Sequence, residues 1–316
     1  MFPYDWFLSA QKRIAPYIRT TPLNHDSRRN LWLKWENEQI TGSFKLRGAL
    51  NKVLSLEDWE RQAGLVTASA GNHGQGLAYA AKLSAAPVKI FASDHAVPRK
   101  VEAMRALGAD VELVPGGYEL AEATAICYAA EHGQTYVSPY NDAGVIAGQG
   151  TVALEILTEN SETANMSWLV PVSGGGLLSG VGLVLKQANP TARLIGVQAA
   201  ASAFMHSLLT RDTQENVPDL PSLADGLTGP VEAGSITIPL VRQLADEIIL
   251  IEEDAIAQAV AFAWTNYGKT IEGSAAVALA AALNGRMRSG VVVILSGGNI
   301  QPEIHAEILR QAGETK

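Results

Sequence analysis

One lysine in this sequence has the surroundings that covalent chemistry requires. Lys45 follows Gly42, Ser43 and Phe44, where the pattern predicts that a helix begins with Ser43 as its N-cap. A lysine in the first turn, partly shielded from water and near the positive end of the helix dipole, has a lowered pKa. Lys45 is therefore a candidate to form a Schiff base with a carbonyl group. The alternative is an ordinary surface lysine on an amphipathic helix.

Three turns rich in small residues follow predicted strands, at residues 69–76, 173–177 and 296–299. Ligands bind beyond the carboxyl ends of parallel strands, so these turns could converge on one crevice. The middle turn has three successive glycines between a buried strand and a helix, which lets backbone N–H groups reach an anion. The turn predicts a phosphate site; the alternative is a tight connection without a ligand.

The glycine turn also resembles the start of a dinucleotide-binding motif. That motif needs an acidic residue about twenty positions later, where this chain has Gly196, Val197 and Gln198. The Gly-Lys-Ser/Thr sequence of a P-loop is missing as well. A cofactor with a single phosphate fits better than a nucleotide. A Schiff-base lysine together with a cradle for one phosphate predicts pyridoxal 5'-phosphate.

The elements that must position these residues form two alternating series. The first has predicted strands at 64–69, 87–92, 110–114 and 135–138, with helices at 76–83, 98–107 and 119–132. The second has strands at 168–172, 194–197, 247–251 and 290–295, with helices at 177–188, at 254–265 and from 274. Such alternation predicts an α/β fold with two parallel-sheet domains. We expect a large domain of residues 1–47 and 143–316 and a small inserted domain of residues 48–142.

Composition narrows the class of protein. The chain has 316 residues, 47% of them hydrophobic, which is enough for two domains with sizeable cores. Its net charge of −8 without a basic block argues against nucleic acid and anionic membrane surfaces as partners. The single cysteine, Cys127, cannot form an internal disulfide, which fits a reducing compartment. Residues 1–10 lack the pattern of a secretion signal, so we expect a cytoplasmic protein.

An ordered set of motifs extends these inferences. They occupy residues 34–37, 41–49, 67–73, 147–151, 174–177, 224–226, 272–274 and 296–299. In this order they resemble the fold type II pyridoxal-phosphate-dependent enzymes, in the branch of the threonine and serine dehydratases and serine racemases. The resemblance implies a fold like that of the tryptophan synthase beta subunit, an amino acid as substrate and a homodimer.

The resemblance also implies a role for each site residue. Lys45 would carry the cofactor and act as the catalytic base. The implied cofactor-binding residues are Lys45, Phe44, Asn72, Ser173, Gly174, Gly175, Gly176, Leu177, Gly226 and Ser296, and the implied substrate-binding residues are Ser69, Ala70, Gly71, Asn72 and His73. Phe44 could also be ordinary core, Asn72 could complete its own turn, and His73 could be purely structural.

Two positions bear on the type of reaction. By resemblance, the hydroxyl of Ser296 faces the pyridine nitrogen, where many pyridoxal enzymes place a carboxylate. A neutral partner makes the ring a weaker electron sink and favours β-elimination over transamination. Racemases of this branch have a second serine at the position of Ala70, which cannot transfer a proton. Acidic residues that hold a divalent cation in some relatives are missing at 198–204, so we predict no metal site.

These observations predict an ammonia-lyase that converts a β-hydroxy α-amino acid, L-threonine or L-serine in the first place, to a 2-keto acid and ammonia. A bulkier substrate such as phenylserine, or serine racemisation, is an alternative within the family. A non-catalytic nucleotide-binding α/β protein is the alternative from a different class. The sequence ends soon after residues 296–299, so we expect no C-terminal regulatory domain.

Overall fold

The computed structural model describes residues 2–285 and 290–313. The strands are β1 (Leu23–Asp26), β2 (Leu31–Trp35), β3 (Leu65–Ala68), β4 (Val88–Ser93), β5 (Asp110–Val114), β6 (Thr135–Tyr136), β7 (Ser167–Pro171), β8 (Arg193–Ala199), β9 (Glu247–Ile251) and β10 (Val291–Leu295). The helices are α1 (Tyr4–Ile14), α2 (Lys45–Ser55), α3 (Asp58–Ala63), α4 (Asn72–Ser84), α5 (Pro98–Ala106), α6 (Tyr118–Glu131), α7 (Ala143–Glu159), α8 (Gly176–Ala188), α9 (Phe204–Arg211), α10 (Thr237–Leu244), α11 (Glu253–Tyr267), α12 (Gly273–Leu283) and α13 (Pro302–Gln311). The predicted α/β fold is confirmed.

The chain divides into two compact units. The first comprises Met1–Ile18 and Lys45–Thr151, and the second comprises Arg19–Phe44 and Val152–Lys316. The predicted inserted domain, 48–142, falls inside the first unit, and its boundaries stay a prediction. The predicted large domain also includes residues 1, 286–289 and 314–316, which lie outside the described residues.

The first unit contains a four-stranded sheet in the order β5-β4-β3-β6, and all its pairs are parallel. Both faces are covered, as the uninterrupted burial of β3 reflects. One face packs against apolar residues of α2 and α4, and the other against the alanines of α6. The sheet therefore gives α4 a fixed starting point at the carboxyl end of β3.

Glycines allow the helices of the first unit to approach α2 closely. A Cβ on Gly76 of α4 would lie 3.2 Å from the Leu46 backbone, and one on Gly148 of α7 would lie 2.6 Å from the Gly48 Cα. Larger residues at these positions would push α4 and α7 away from α2. The close crossings fix the first turn of α2, where Lys45 lies.

The second unit contains a six-stranded sheet in the order β1-β2-β10-β7-β8-β9. Only the pair β1 and β2 is antiparallel among the described strands. The strand β10, at residues 291–295, is buried throughout, and α12 packs its alanines into the same core. Three strand ends of this sheet thus lead into the turns at 173, 199 and 296.

Most predicted elements are confirmed to within a few residues. The sequence pattern did not predict the edge strand β1 or the helices α3, α7, α9, α10 and α13. None of the helices formed by the described residues combines the length and the apolar character needed to cross a membrane.

Candidate active site

Lys45 is the first residue of α2, as predicted. Its Nζ donates a hydrogen bond of 2.9 Å to the Pro139 carbonyl in the first unit. The predicted N-cap is wrong, because the buried Ser43 hydroxyl has no hydrogen-bond partner among the described residues. The Ser43 backbone instead forms an antiparallel bridge with Gly297. The lysine is therefore positioned by helix packing and by the Pro139 carbonyl.

The segment before Lys45 is paired with the turn that follows β10. The Phe44 N–H donates to the Ser296 carbonyl at 3.0 Å, and the Gly298 N–H donates to the Gly42 carbonyl at 2.9 Å. These bonds place the half-buried Phe44 and the buried Ser296 beside each other in the second unit. Phe44 is in turn the residue that directly precedes Lys45 in the chain.

A buried carboxylate supports the Ser296 turn. Glu272 is 4% exposed, and its N–H donates to the Gly297 carbonyl at 3.1 Å. A Cβ on Gly297 would collide with the Glu272 carboxylate, so a larger residue there would have to displace that carboxylate. Residues 272–274 are one of the motifs found in the sequence, but no role was predicted for Glu272. A lone acidic residue directly before an alanine-rich helix was the signal in the sequence that could have identified it.

The same motif holds Gly226. The Ser274 hydroxyl accepts a hydrogen bond of 3.0 Å from the Gly226 N–H. Gly273 lies so close to the Leu223 carbonyl that a side chain would not fit. Gly226 itself is exposed, which leaves one side of its backbone open to a ligand.

The turn at 173–177 has the geometry of an anion cradle. It leads from β7 into α8, whose first residue is Gly176, and no side chain caps the helix. Gly175 has a φ of +84°, and a Cβ there would lie 2.8 Å from Val241 and 3.0 Å from Thr237. The first amides of a helix have no intrahelical acceptor, and the dipole favours negative charge beside them. The turn thus fits a phosphate group.

In the first unit, the loop 69–73 leads from β3 into α4. The buried Ser69 hydroxyl accepts hydrogen bonds from the Gly71 N–H at 3.2 Å and the Gly74 N–H at 2.9 Å. Ala70 is half-buried, and Asn72 is the first residue of α4. The loop offers an uncharged helix N-terminus, which suits a carboxylate.

His73 is buried and neutral. Burial lowers its pKa to about 3, and the positive charge of Lys45 contributes to the same shift. Its Nε2 donates to the Val137 carbonyl at 3.0 Å, which places the proton on Nε2, and Nδ1 is buried without a partner among the described residues. This geometry favours the interpretation of His73 as a residue that fixes the loop.

The predicted site residues thus form two sets. Lys45 and residues 69–73 belong to the first unit, whereas Phe44, residues 173–177, Gly226 and Ser296 belong to the second. Within the described residues, no group of three His, Cys, Asp or Glu side chains is arranged to bind a metal ion. The donor set of an amine, a strand-end hydroxyl and a glycine cradle fits pyridoxal phosphate.

Comparisons with known proteins agree with this donor set. Residues 8–297 match the model of the pyridoxal-phosphate-dependent enzyme family. An L-threonine ammonia-lyase of Geobacter sulfurreducens is 40% identical over 309 residues, which are 95% of this chain and 76% of that protein. A serine racemase of Dictyostelium discoideum is 35% identical over 314 residues, 95% of both chains.

Among solved structures, maize serine racemase superimposes with a TM-score of 0.90 at 32% identity, over 98% of this chain and 97% of that one. The sequence and the fold therefore agree on one family. The chain belongs to the pyridoxal-phosphate-dependent enzymes, in the fold type II branch of threonine and serine dehydratases and serine racemases.

Proposed function

We propose that the protein is an ammonia-lyase that removes water from a β-hydroxy α-amino acid, L-threonine or L-serine, and yields a 2-keto acid and ammonia. The observation that carries the proposal is the pairing of the segment before Lys45 with the Ser296 turn. It joins the backbone of Phe44, the residue directly before Lys45 in the chain, to the backbone of Ser296. The relatedness to an L-threonine ammonia-lyase supports the same activity.

Each residue set has a distinct task in this reaction. When bound, pyridoxal phosphate withdraws electrons from the substrate α-carbon. Residues 173–177 hold its phosphate, and Phe44, Asn72, Gly226 and Ser296 orient its ring. The loop 69–73 binds the substrate carboxylate through the N-terminus of α4.

Lys45 moves the proton. Its Nζ, in the neutral form, takes the proton from the substrate α-carbon, and the released electron pair forms the bond between the α- and β-carbons. The carbon–oxygen bond at the β-carbon breaks, and the leaving hydroxyl takes up one proton, which balances the proton that Lys45 removed from the α-carbon, and departs as water. The resulting enamine tautomerises to an imine, which water hydrolyses to the 2-keto acid and ammonia.

The relatedness to serine racemases makes racemisation the second candidate. A racemase needs a proton donor on the face of the α-carbon opposite Lys45. The methyl group of Ala70 has no such proton. We therefore expect little D-serine from L-serine, and a steady conversion would favour the racemase.

The substrate side chain is the least constrained part of the proposal. Gly229 and Gly234 both have positive φ angles and open space where a Cβ would lie. We propose that this small-residue segment borders the substrate side chain and admits one as bulky as that of phenylserine. We further propose a cytoplasmic homodimer; the exposed and free Cys127 is consistent with a reducing compartment.

The test is the release of 2-keto acid from L-threonine, L-serine and aryl-serines by the native protein and by Lys45→Ala. We expect turnover of at least one substrate and a loss of about 10³-fold or more in the variant. Lys82→Ala, an exposed change in α4, is the control and should keep full activity. A native protein that is inactive on the whole panel, or a fully active Lys45→Ala, would contradict the proposal.

A further inference from the structure

Two buried hydroxyl groups lie behind the glycine turn of the second unit. The Thr237 hydroxyl donates a hydrogen bond of 2.6 Å to the Gly174 carbonyl. The Ser235 hydroxyl is 2.7 Å from the same Thr237 oxygen. Thr237 is 0% exposed and Ser235 is 2% exposed, so both groups depend on protein partners for their hydrogen bonds.

The direction of these hydrogen bonds follows from their chemistry. A carbonyl can only accept, so the single hydroxyl proton of Thr237 points at Gly174. Ser235 must then donate to Thr237, and the Ser235 oxygen accepts in turn from the Thr237 N–H at 3.3 Å. The chain runs from Ser235 through Thr237 to Gly174, and each bond polarises the next.

This series of hydrogen bonds determines where the Gly175 N–H points. In a trans peptide the carbonyl and the N–H point in opposite directions. With the Gly174 carbonyl turned toward Thr237, the Gly175 N–H points away from it. Glycine can adopt several backbone conformations at little cost, so two glycines in sequence do not fix this peptide by themselves.

We propose that Ser235 and Thr237 are positioning residues that hold the Gly174–Gly175 peptide with its N–H toward the cofactor phosphate. The inference rests on the proposed role of residues 173–177 as the phosphate turn. The proposal gives a reason why α10 begins with a threonine. The hydroxyl of Thr237 donates to the carbonyl of Gly174, 63 positions earlier in the sequence. The sequence offered no signal for this contact, because the two residues meet only in the folded unit.

The test compares two cofactors that differ only in the phosphate. The full-length protein is stripped of cofactor and titrated with pyridoxal phosphate and with pyridoxal, and binding is followed by absorbance. For Thr237→Val, which keeps the shape but loses the hydroxyl, we expect the affinity for pyridoxal phosphate to fall about tenfold. The affinity for pyridoxal should stay unchanged, and the ³¹P resonance of the bound phosphate should shift.

Two further variants make the result specific. Thr237→Ser keeps the hydroxyl and should retain native affinity for both cofactors. Thr265→Val is the control. It removes a threonine hydroxyl that donates to the Ala261 carbonyl, within α11, and it should leave both affinities unchanged. Equal losses for the two cofactors, or no loss in Thr237→Val, would overturn the inference. If the native protein binds neither cofactor at Lys45, the proposed function itself fails.

Discussion

Two strand-to-helix turns occupy equivalent places in the two units but satisfy their amides in opposite ways. In the turn at 69–74, the Ser69 hydroxyl lies inside the turn and accepts from the Gly71 and Gly74 amides. In the turn at 173–177, the supporting hydroxyl of Thr237 lies behind the backbone and donates to the Gly174 carbonyl. The Ser69 hydroxyl accepts hydrogen bonds from amides that a ligand could otherwise bind. The Thr237 hydroxyl instead binds a carbonyl, which leaves the neighbouring amide pointing away from it.

The difference indicates which anion each turn suits. In the first turn, two amides donate to the turn's own serine, so fewer amides can bind a ligand. The remaining amides suffice for a singly charged carboxylate. A turn without a side-chain cap keeps its amides for a group with more charge, such as a phosphate. The position of one hydroxyl thus supports our proposal that the first turn binds the substrate and the second turn binds the cofactor.

The largest expected effect comes from filling the second turn. Gly175→Ala places a Cβ 2.8 Å from Val241 at a φ of +84°. Strain and crowding together should lower the free energy of unfolding by about 3 kcal/mol and weaken pyridoxal phosphate binding about 100-fold. Denaturant unfolding and cofactor titration measure the two effects.

Gly229→Ala is the matched control for this change. Gly229 has a similar φ of +91° but open space where the Cβ would lie. The free energy of unfolding of this variant should fall by only about 1 kcal/mol, and the variant should bind the cofactor with native affinity. If both variants behave alike, the crowding at Gly175 has no consequence for the turn.

A smaller effect is expected from the first turn. Ser69→Ala removes the acceptor of two amides, which should lower the free energy of unfolding by about 1 kcal/mol and raise KM for the amino acid. Cofactor affinity should not change. Ser84→Ala, which removes a hydroxyl bonded to the Ala80 carbonyl at the other end of α4, should alter neither KM nor cofactor affinity. A cofactor defect in Ser69→Ala would contradict the division of tasks.

The last effect concerns pH and is absent at neutral pH. The pKa of His73 is lowered from 6.5 to about 3 by burial, so the unfolded chain binds a proton that the folded protein does not. The contribution of neutral His73 to the free energy of unfolding is therefore fully present above pH 6.5. As the pH falls below 6.5, the free energy of unfolding decreases by at most about 1.4 kcal/mol per pH unit. His73→Gln should show a flatter dependence of Tm on pH between 6.5 and 5. His95→Asn, at an 84% exposed side chain, should keep the native slope.

Local patterns in the sequence predicted much of the fold and part of the site. The buried strand β7 and the three glycines after it predicted the second turn, and the small residues before Lys45 predicted the start of α2. The edge strand β1 was missed because Asn24, His25 and Asp26 show no apolar alternation.

Contacts between distant parts of the chain were not predictable in this way. Ser43 has the residue type of an N-cap, but its pairing with Gly297, over 250 positions later, decides its conformation. The bond from Thr237 to Gly174 and the packing of Glu272 against Gly297 likewise exist only after the second unit folds. The spacing of residues along the sequence does not indicate which distant residues meet in the folded unit.

The central claim is that Lys45 carries the cofactor, and one measurement tests it directly. The holoenzyme is reduced with borohydride, which fixes the cofactor permanently to its lysine, and is then digested and analysed by mass spectrometry. We expect one modified peptide, with the mass of reduced pyridoxal phosphate on Lys45. A modification on any other lysine, or an unmodified Lys45 in active protein, would contradict it.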